Sequence, residues 1–414
     1  MRLNRAMGLW AAIPLILLAA LIVAIVRLSP ADRLRPAGMP PVERLSISRA
    51  TLAADGIRLS VLNDGPDPVT IAQVTVDDAY WAFTSEKGPT LNHLGTTTVH
   101  IPYPWVAGEA HMAKLLSSTG TPFEHEIAVA VETPRITAAH LGSFALIGLY
   151  VGVLPVALGL CWFPVLARLG RGGLDVLLAI TIGLLGFLLV DAVHEGLDGA
   201  ARLAESYQGA ALFAGAAAAA YLGLETVGQW LRNARARRSL PDARAERADP
   251  ARPASEARAT SPASSSGPVL ALLIAIGIGL HNFGEGLAIG AAFALGEAAL
   301  GTLLVVGFTL HNTTEGLAIL VPIARERPSV RLLLKLGLIG GAPTIAGAWL
   351  GGFVYSPVAA VLCLGLGAGA IAQVVHQLSR QISRGPAAGF ASAPVMLGLL
   401  CGFAVMYGTG MIVG

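Results

Sequence analysis

The chain has 414 residues, of which 28 Lys and Arg and 26 Asp and Glu make only 13% charged, while 54% are hydrophobic. A soluble domain carries about 25% charged residues, so this composition excludes an ordinary soluble enzyme and a disordered protein alike. The formal net charge of +2 leaves no electrostatic footprint for nucleic acid, and the lipid bilayer becomes the expected surroundings.

Apolar segments of roughly 20 residues, the length that crosses a bilayer, run near 8–27, 143–167, 174–198, 208–231, 268–293, 299–323, 332–354, 357–379 and 390–413. They form one isolated span and a block of eight. Arg2 and Arg5 precede the first span, and Arg27, Leu28, Ser29 and Pro30 follow it without an Ala-x-Ala cleavage site, so residues 1–28 read as an uncleaved anchor.

Residues 29–141 change character. Alternation in Arg58–Leu62, Val69–Val76 and Ile127–Val131, broken by turn signals such as Asn63-Asp64-Gly65-Pro66, predicts a small β-sandwich-like domain. His93, His100, His111 and His125 fall on different predicted elements there, which favours surface or structural histidines over a metal-capture site. Three Cys, at 161, 363 and 401, all lie in apolar runs and suggest neither a disulfide framework nor a thiolate metal cluster.

Residues 142–414 hold the eight-span block, interrupted at 232–267 by an Arg-, Ala-, Pro- and Ser-rich stretch expected to be a disordered cytoplasmic loop. The basic groups at Arg2 and Arg5, Arg168 and Arg171, Arg232 to Arg238, Arg325 and Arg327, and Arg380 and Arg384 all fall on one side if every span crosses. That side is the cytoplasm by the positive-inside rule. The N-terminus is then cytoplasmic, and residues 29–141 and the C-terminus are extracytoplasmic. The Ala- and Arg-rich composition favours a bacterial inner membrane.

An ionisable group at bilayer depth costs roughly 2.5–3.5 kcal/mol on insertion scales, so each one is a functional hypothesis. The strongest signal is a repeat: Leu280-His281-Asn282-Phe283-Gly284-Glu285-Gly286-Leu287 in one span and Leu310-His311-Asn312-Thr313-Thr314-Glu315-Gly316-Leu317 in the next. His and Glu four residues apart share a helix face, and spans joined by a short turn are antiparallel neighbours. The two faces can therefore meet in one mid-membrane cluster. Two imidazoles and two carboxylates suit a first-row M²⁺ such as zinc, with iron and manganese as competitors. Such an ion would cancel the two carboxylate charges, lowering the cost of burying them. Gly286, Gly290 and Gly316 permit close helix approach.

Asp191, His194, Glu195 and Asp198 form a second stripe near one end of their span. The first three are an expected entrance relay for cations. His376, with Gln373 and Gln377, is a weaker expected exit site, and Glu225 is expected to pair with a neighbouring Arg.

The repeated His-Asn-x-x-Glu-Gly motif resembles that of the ZIP family of divalent-metal transporters, over about residues 142–414. The resemblance implies an eight-helix, elevator-like, alternating-access carrier, usually a homodimer, with both termini of the unit outside. By position it implies His281, Asn282, Glu285, His311, Asn312 and Glu315 as metal ligands, with Zn²⁺, or else Fe²⁺, Mn²⁺ or Cd²⁺, as transported substrate and no organic cofactor. Gly284 and Thr314 replace the proline frequent before the Glu in that family. Asn312 and Thr344 stand where carboxylates are common, so one strong metal site and at most a weak second one are expected.

The fold expectation is thus an all-α polytopic membrane protein: an eight-helix ZIP-like unit preceded by one anchor helix and a small extracytoplasmic β-sandwich-like domain. The functional expectation is zinc import rather than enzymatic activity. The alternatives are an intramembrane zinc-dependent hydrolase and a non-transporting metal sensor. The hydrolase needs a general base beyond the ligands, and His194-Glu195 lacks the second His of a His-Glu-x-x-His protease.

Overall fold

The computed structural model describes residues 13–14, 16–24, 40–246, 267–326, 328–383 and 389–413. Residues 13–14 and 16–24 of the expected anchor are helical with exposed aliphatic side chains. The ends of that anchor, with Arg2, Arg5 and Arg27, lie outside the described residues, as do residues 247–266 of the expected loop.

The β-rich region is a sandwich of antiparallel strands. One sheet has the order β1 (Leu45–Ala53), β2 (Gly56–Asn63), β7 (Thr96–Ile101) and β5 (Thr84–Ser85). The other has β4 (Ala79–Trp81), β3 (Val69–Val76), β8 (His111–Ser117) and β9 (Pro122–Ile127), with β6 (Thr90–Leu91) on β3. The period-two pattern explains the packing: in β8, His111, Ala113, Leu115 and Ser117 all point inward while the residues between them do not. Ile57, Leu59, Ile71, Val99, Ile101 and Leu115 fill the core between the sheets. The alternation at Ile127–Val131 does not make a strand. The strand β9 ends at Ile127, because the Ala130 N–H donates to Glu109 O while its carbonyl accepts from Gly108, tying the segment to a loop.

The rest is helical. Among the described residues seven helices are long and apolar enough to cross a membrane: α1 (Ala138–Leu166), α2 (Arg171–Ala201), α3 (Gly209–Glu246), α4 (Gly267–Ala294), α5 (Ala298–Leu320), α6 (Val330–Val354) and α7 (Pro357–Ser383). An eighth, α8 (Ala393–Val413), has a shorter apolar stretch. The protein is therefore a polytopic membrane protein with a small N-terminal β region. The expected disorder from 232 is corrected in part, because α3 continues as helix to Glu246. Ala and Arg are strong helix formers, and an Arg/Ala-rich run propagates a helix already nucleated in the span.

Close backbone approaches sort the helices into two bodies. A Cβ on Gly286 of α4 would lie 2.1 Å from Thr344 O of α6, and one on Gly347 of α6 would lie 2.0 Å from Phe283 O of α4. Gly316 of α5 meets Val156 O of α1 at 2.3 Å in the same sense, and Gly152 of α1 meets Gly341 O of α6 at 2.4 Å. These contacts lock α1, α4, α5 and α6 together. Equivalent ones join α3 to α7 (Gly369 to Ala217 O, 1.9 Å) and α2 to α8 (Gly402 to Ile180 O, 2.1 Å), and Gly209 seats the start of α3 against Ala200 of α2. Between the two bodies the approach is looser, as where a Cβ on Gly277 of α4 would lie 2.8 Å from Val374 Cγ2 of α7 and one on Gly367 of α7 3.3 Å from His281 Cα of α4.

Candidate metal centre

The two motif copies meet inside the first body. Asn282, Glu285, His311, Asn312 and Glu315 are all buried, and the His281 side chain keeps only 13% exposure. His281, His311 and Glu315 offer ligand atoms that lie within 4.8 Å of one another, the one such His/Cys/Asp/Glu group found among the described residues. Glu285 sits between the histidines, hydrogen-bonded to His311 Nε2 and 3.2 Å from His281 Nε2. Phe308 packs its edge on the His311 ring.

The two asparagines are struts as well as polar groups. Asn282 Nδ2 donates to Gly340 O at 3.1 Å, next to the join between the two halves of α6. Asn312 Nδ2 donates to Glu285 Oε2 and to Val151 O, both at 2.9 Å. That carbonyl belongs to a π-helical turn at Leu149–Val153, and Pro155, four residues on, has no N–H to give it. Helix α1 thus hands a free acceptor to the centre, a role legible only from Pro155. The anchoring leaves Asn282 Oδ1 and Asn312 Oδ1 buried without a partner, along with Thr344 Oγ1.

Glu315 is the outlier. It is 2% exposed, and neither carboxylate oxygen has a hydrogen-bond partner. A buried carboxylate in that state is strongly unfavourable unless a cation or a proton answers it. His281 Nε2 likewise meets no hydrogen-bond partner.

One cavity borders this cluster, and a second lies beside it. A narrow one of ≈ 20 Å³, about one water in size, is lined by Asp191, Glu195, His281, Gly284, Glu285 and His311. A wide one of ≈ 1070 Å³ lies between the β domain and the helices, and its walls include His125, Glu126, His194, Glu195, Asp198, Gly284 and Glu297. Glu195 and Gly284 line both. The space beside Gly284 is open, with nothing within 4 Å of where a Cβ would sit. Gly284 thus stands between the two cavities without a side chain, while α4 continues as helix through it.

The expected relay is divided by the structure. Asp191 and Glu195 reach the narrow cavity, whereas His194 faces the wide one and lies 3.6 Å from Asp198. Burial holds the His125 imidazole, on the β-domain wall, below its usual pKa, so it is neutral at pH 7. His376 does not join Gln373: it is exposed with its ring edge-on to Tyr221, and Gln373 instead donates to Glu225 at 3.2 Å. The expected pairing of Glu225 is present, with Arg232 3.4 Å away. The histidines of the β domain stay apart, His93 on Gly65 O, His100 beside Asp55 and His111 on Asp77.

No family model matches the chain, and no curated protein matches it.

Proposed function

We propose that the protein carries a divalent cation, zinc by preference, across the membrane, bound in transit by His281, Glu285, His311 and Glu315. The observation that carries this reading is the unanswered Glu315 carboxylate beside two imidazoles in a buried, two-helix cluster. Zinc takes four nitrogen and oxygen donors tetrahedrally, and two neutral His with two carboxylates around M²⁺ give a site near zero charge. Iron, manganese and cadmium accept the same donors. Asn282 and Asn312 hold the ligand face in place and offer Oδ1 as auxiliary donors.

Entry runs through the wide cavity, past His194 and Asp198, then by Glu195 and Asp191 into the narrow one. The two helical bodies favour alternating access in which α1, α4, α5 and α6 move with the ion against α2, α3, α7 and α8, as the resemblance to the ZIP family implies. In that reading the eighth helix completes the unit, the β domain is extracytoplasmic, the N-terminus is cytoplasmic, and a homodimer is the working assembly in a bacterial inner membrane.

The test is metal uptake into proteoliposomes loaded with a metal-responsive dye, comparing native protein with His281→Ala, Glu285→Ala and Glu315→Gln across Zn²⁺, Fe²⁺, Mn²⁺ and Cd²⁺. Saturable uptake in native protein, lost in all three variants, is expected. Tight binding without flux in native protein would overturn the carrier in favour of a sensor.

A further inference from the structure

The β domain touches both helical bodies, and it does so at their ends on the same side. Toward the first body it is continuous with α1 through residues 128–137, where Thr133 is fixed to β1 by its N–H to Leu52 O (2.9 Å) and by Leu52 N–H to its Oγ1 (3.0 Å). The same segment packs on the α4–α5 turn, where a Cβ on Gly296 would lie 2.8 Å from Val131 Cγ2.

Toward the second body it makes a polar clamp. Asp64, 8% exposed at the end of β2, accepts from the backbone N–H groups of Glu205 (2.7 Å) and Ser206 (2.9 Å) and from the Ser206 hydroxyl. It caps the short turn between α2 and α3, the unsatisfied N–H groups of which need an acceptor. Arg44, just before β1, pairs with the Glu205 carboxylate beside it. The sandwich between these attachments has one continuous core from Leu45 to Ala130, so it transmits displacement rather than absorbing it.

We infer that the β domain is a latch that holds the two helical bodies in this relative position, with the Asp64 and Arg44 clamp as its releasable end. The first attachment is covalent and backbone-paired, whereas the second consists of bonds made by the Asp64 and Arg44 side chains. Displacement of one body past the other therefore breaks the clamp before it breaks the tether. This inference rests on the carrier reading for its purpose, since a latch of this kind sets how often the carrier leaves the state with the wide cavity open. Its geometry stands apart from which ion is carried.

Spin labels at Leu222→Cys in α3 and Leu334→Cys in α6, both exposed positions, report the separation of the bodies once Cys161, Cys363 and Cys401 are changed to Ser. Arg44→Glu and Asp64→Ala should each add a second distance population absent or minor in the native clamp. Arg44→Glu with Glu205→Arg should return the distribution to the native one, a rescue that simple loss of folding cannot produce. Zinc uptake measured on the same proteins should change about twofold or more with the clamp variants and return with the rescue. Identical distance distributions in all four proteins would overturn the latch. Changed distances with no zinc flux in any protein would uphold the latch and overturn the carrier.

Discussion

The two copies of His-Asn-x-x-Glu-Gly are nearly the same in sequence and opposite in state. In the first copy Glu285 is fully engaged, by His311, by Asn312 and by the nearby His281. In the second, Glu315 is as deeply buried and has no partner for either oxygen. The difference arises outside the repeat. Helix α1 supplies the Val151 carbonyl that aims Asn312 at Glu285, while Asn282 of the other copy donates to Gly340 O. Sequence symmetry in a helix pair does not survive asymmetric neighbours, and the asymmetry leaves one carboxylate framed and the other without a hydrogen-bond partner.

That contrast makes predictions that separate stability from metal binding. Glu285→Gln should destabilise the metal-free protein by about 3 kcal/mol or more, because it breaks a buried pair and leaves His311 and Asn312 uncompensated. Glu315→Gln should leave the metal-free protein as stable or more stable, since it removes a buried unpaired charge, yet weaken zinc binding by about 100-fold. Thermal melts with and without zinc, together with titration calorimetry, check both; equal melting losses for the two variants would erase the asymmetry.

Gly286→Ala should cost about 1–3 kcal/mol through overpacking against Thr344 O. Gly284→Leu, two residues away on the same helix, should leave the fold intact because its Cβ meets open space. It should nevertheless slow uptake by about tenfold while sparing affinity in detergent, by filling the passage between the cavities. Dye uptake and calorimetry on the two variants distinguish wall from passage.

Asn312→Asp sharpens the comparison further. A carboxylate there faces Glu285 and the Val151 carbonyl, so the metal-free protein should melt lower, and zinc should raise its melting temperature by more than it raises that of native protein. Differential scanning with a zinc series reads this out directly. A zinc shift no larger than native would show that residue 312 does not face the ion.

The smallest effect belongs to the β domain. Hydrogen bonds from Met112, His111 and Tyr103 hold the Asp77 carboxyl below its ordinary value of 3.8 despite the opposing effect of burial, and Ser206 and Glu205 do the same for Asp64. A depressed folded pKa contributes stability that is present above the ordinary value and lost as pH falls through the depressed one. The His125 imidazole, held below its ordinary 6.5 by burial, costs the domain stability as pH falls below that value, and the Asp77 and Asp64 contributions are lost as pH falls below about 4, so stability should decline in two steps, as followed by tryptophan fluorescence. Loss of the lower step in Asp77→Asn, with the upper one kept, would assign each step to its group.

Much of the fold was legible because its signals are local. Long apolar runs announced the spans, and period-two alternation announced Val69–Val76 as a strand to the residue. Ile127–Val131 misled because alternation measures which side chains are covered, and there a loop provides the cover instead of a strand. The expected grouping of His376 with Gln373 is absent for a related reason: one helix face shows neighbours on that helix, but Gln373 donates to Glu225 on α3. Within the relay stripe, sequence spacing did not reveal that Asp191 and Glu195 line the narrow cavity whereas His194 faces the wide one.

By itself the sequence determined the long apolar helices, several of the strands and which ionisable groups fall inside apolar runs, since hydropathy, periodicity and i, i+4 spacing are properties of a segment alone. Tertiary structure decided which glycine faces which helix, which of two equal Glu residues goes unpaired, and which turn Asp64 caps. In the centre alone such contacts join residues 26 positions apart, His311 with Glu285, and 161 apart, Asn312 with Val151, and no local pattern encodes the partner that packing brings to them.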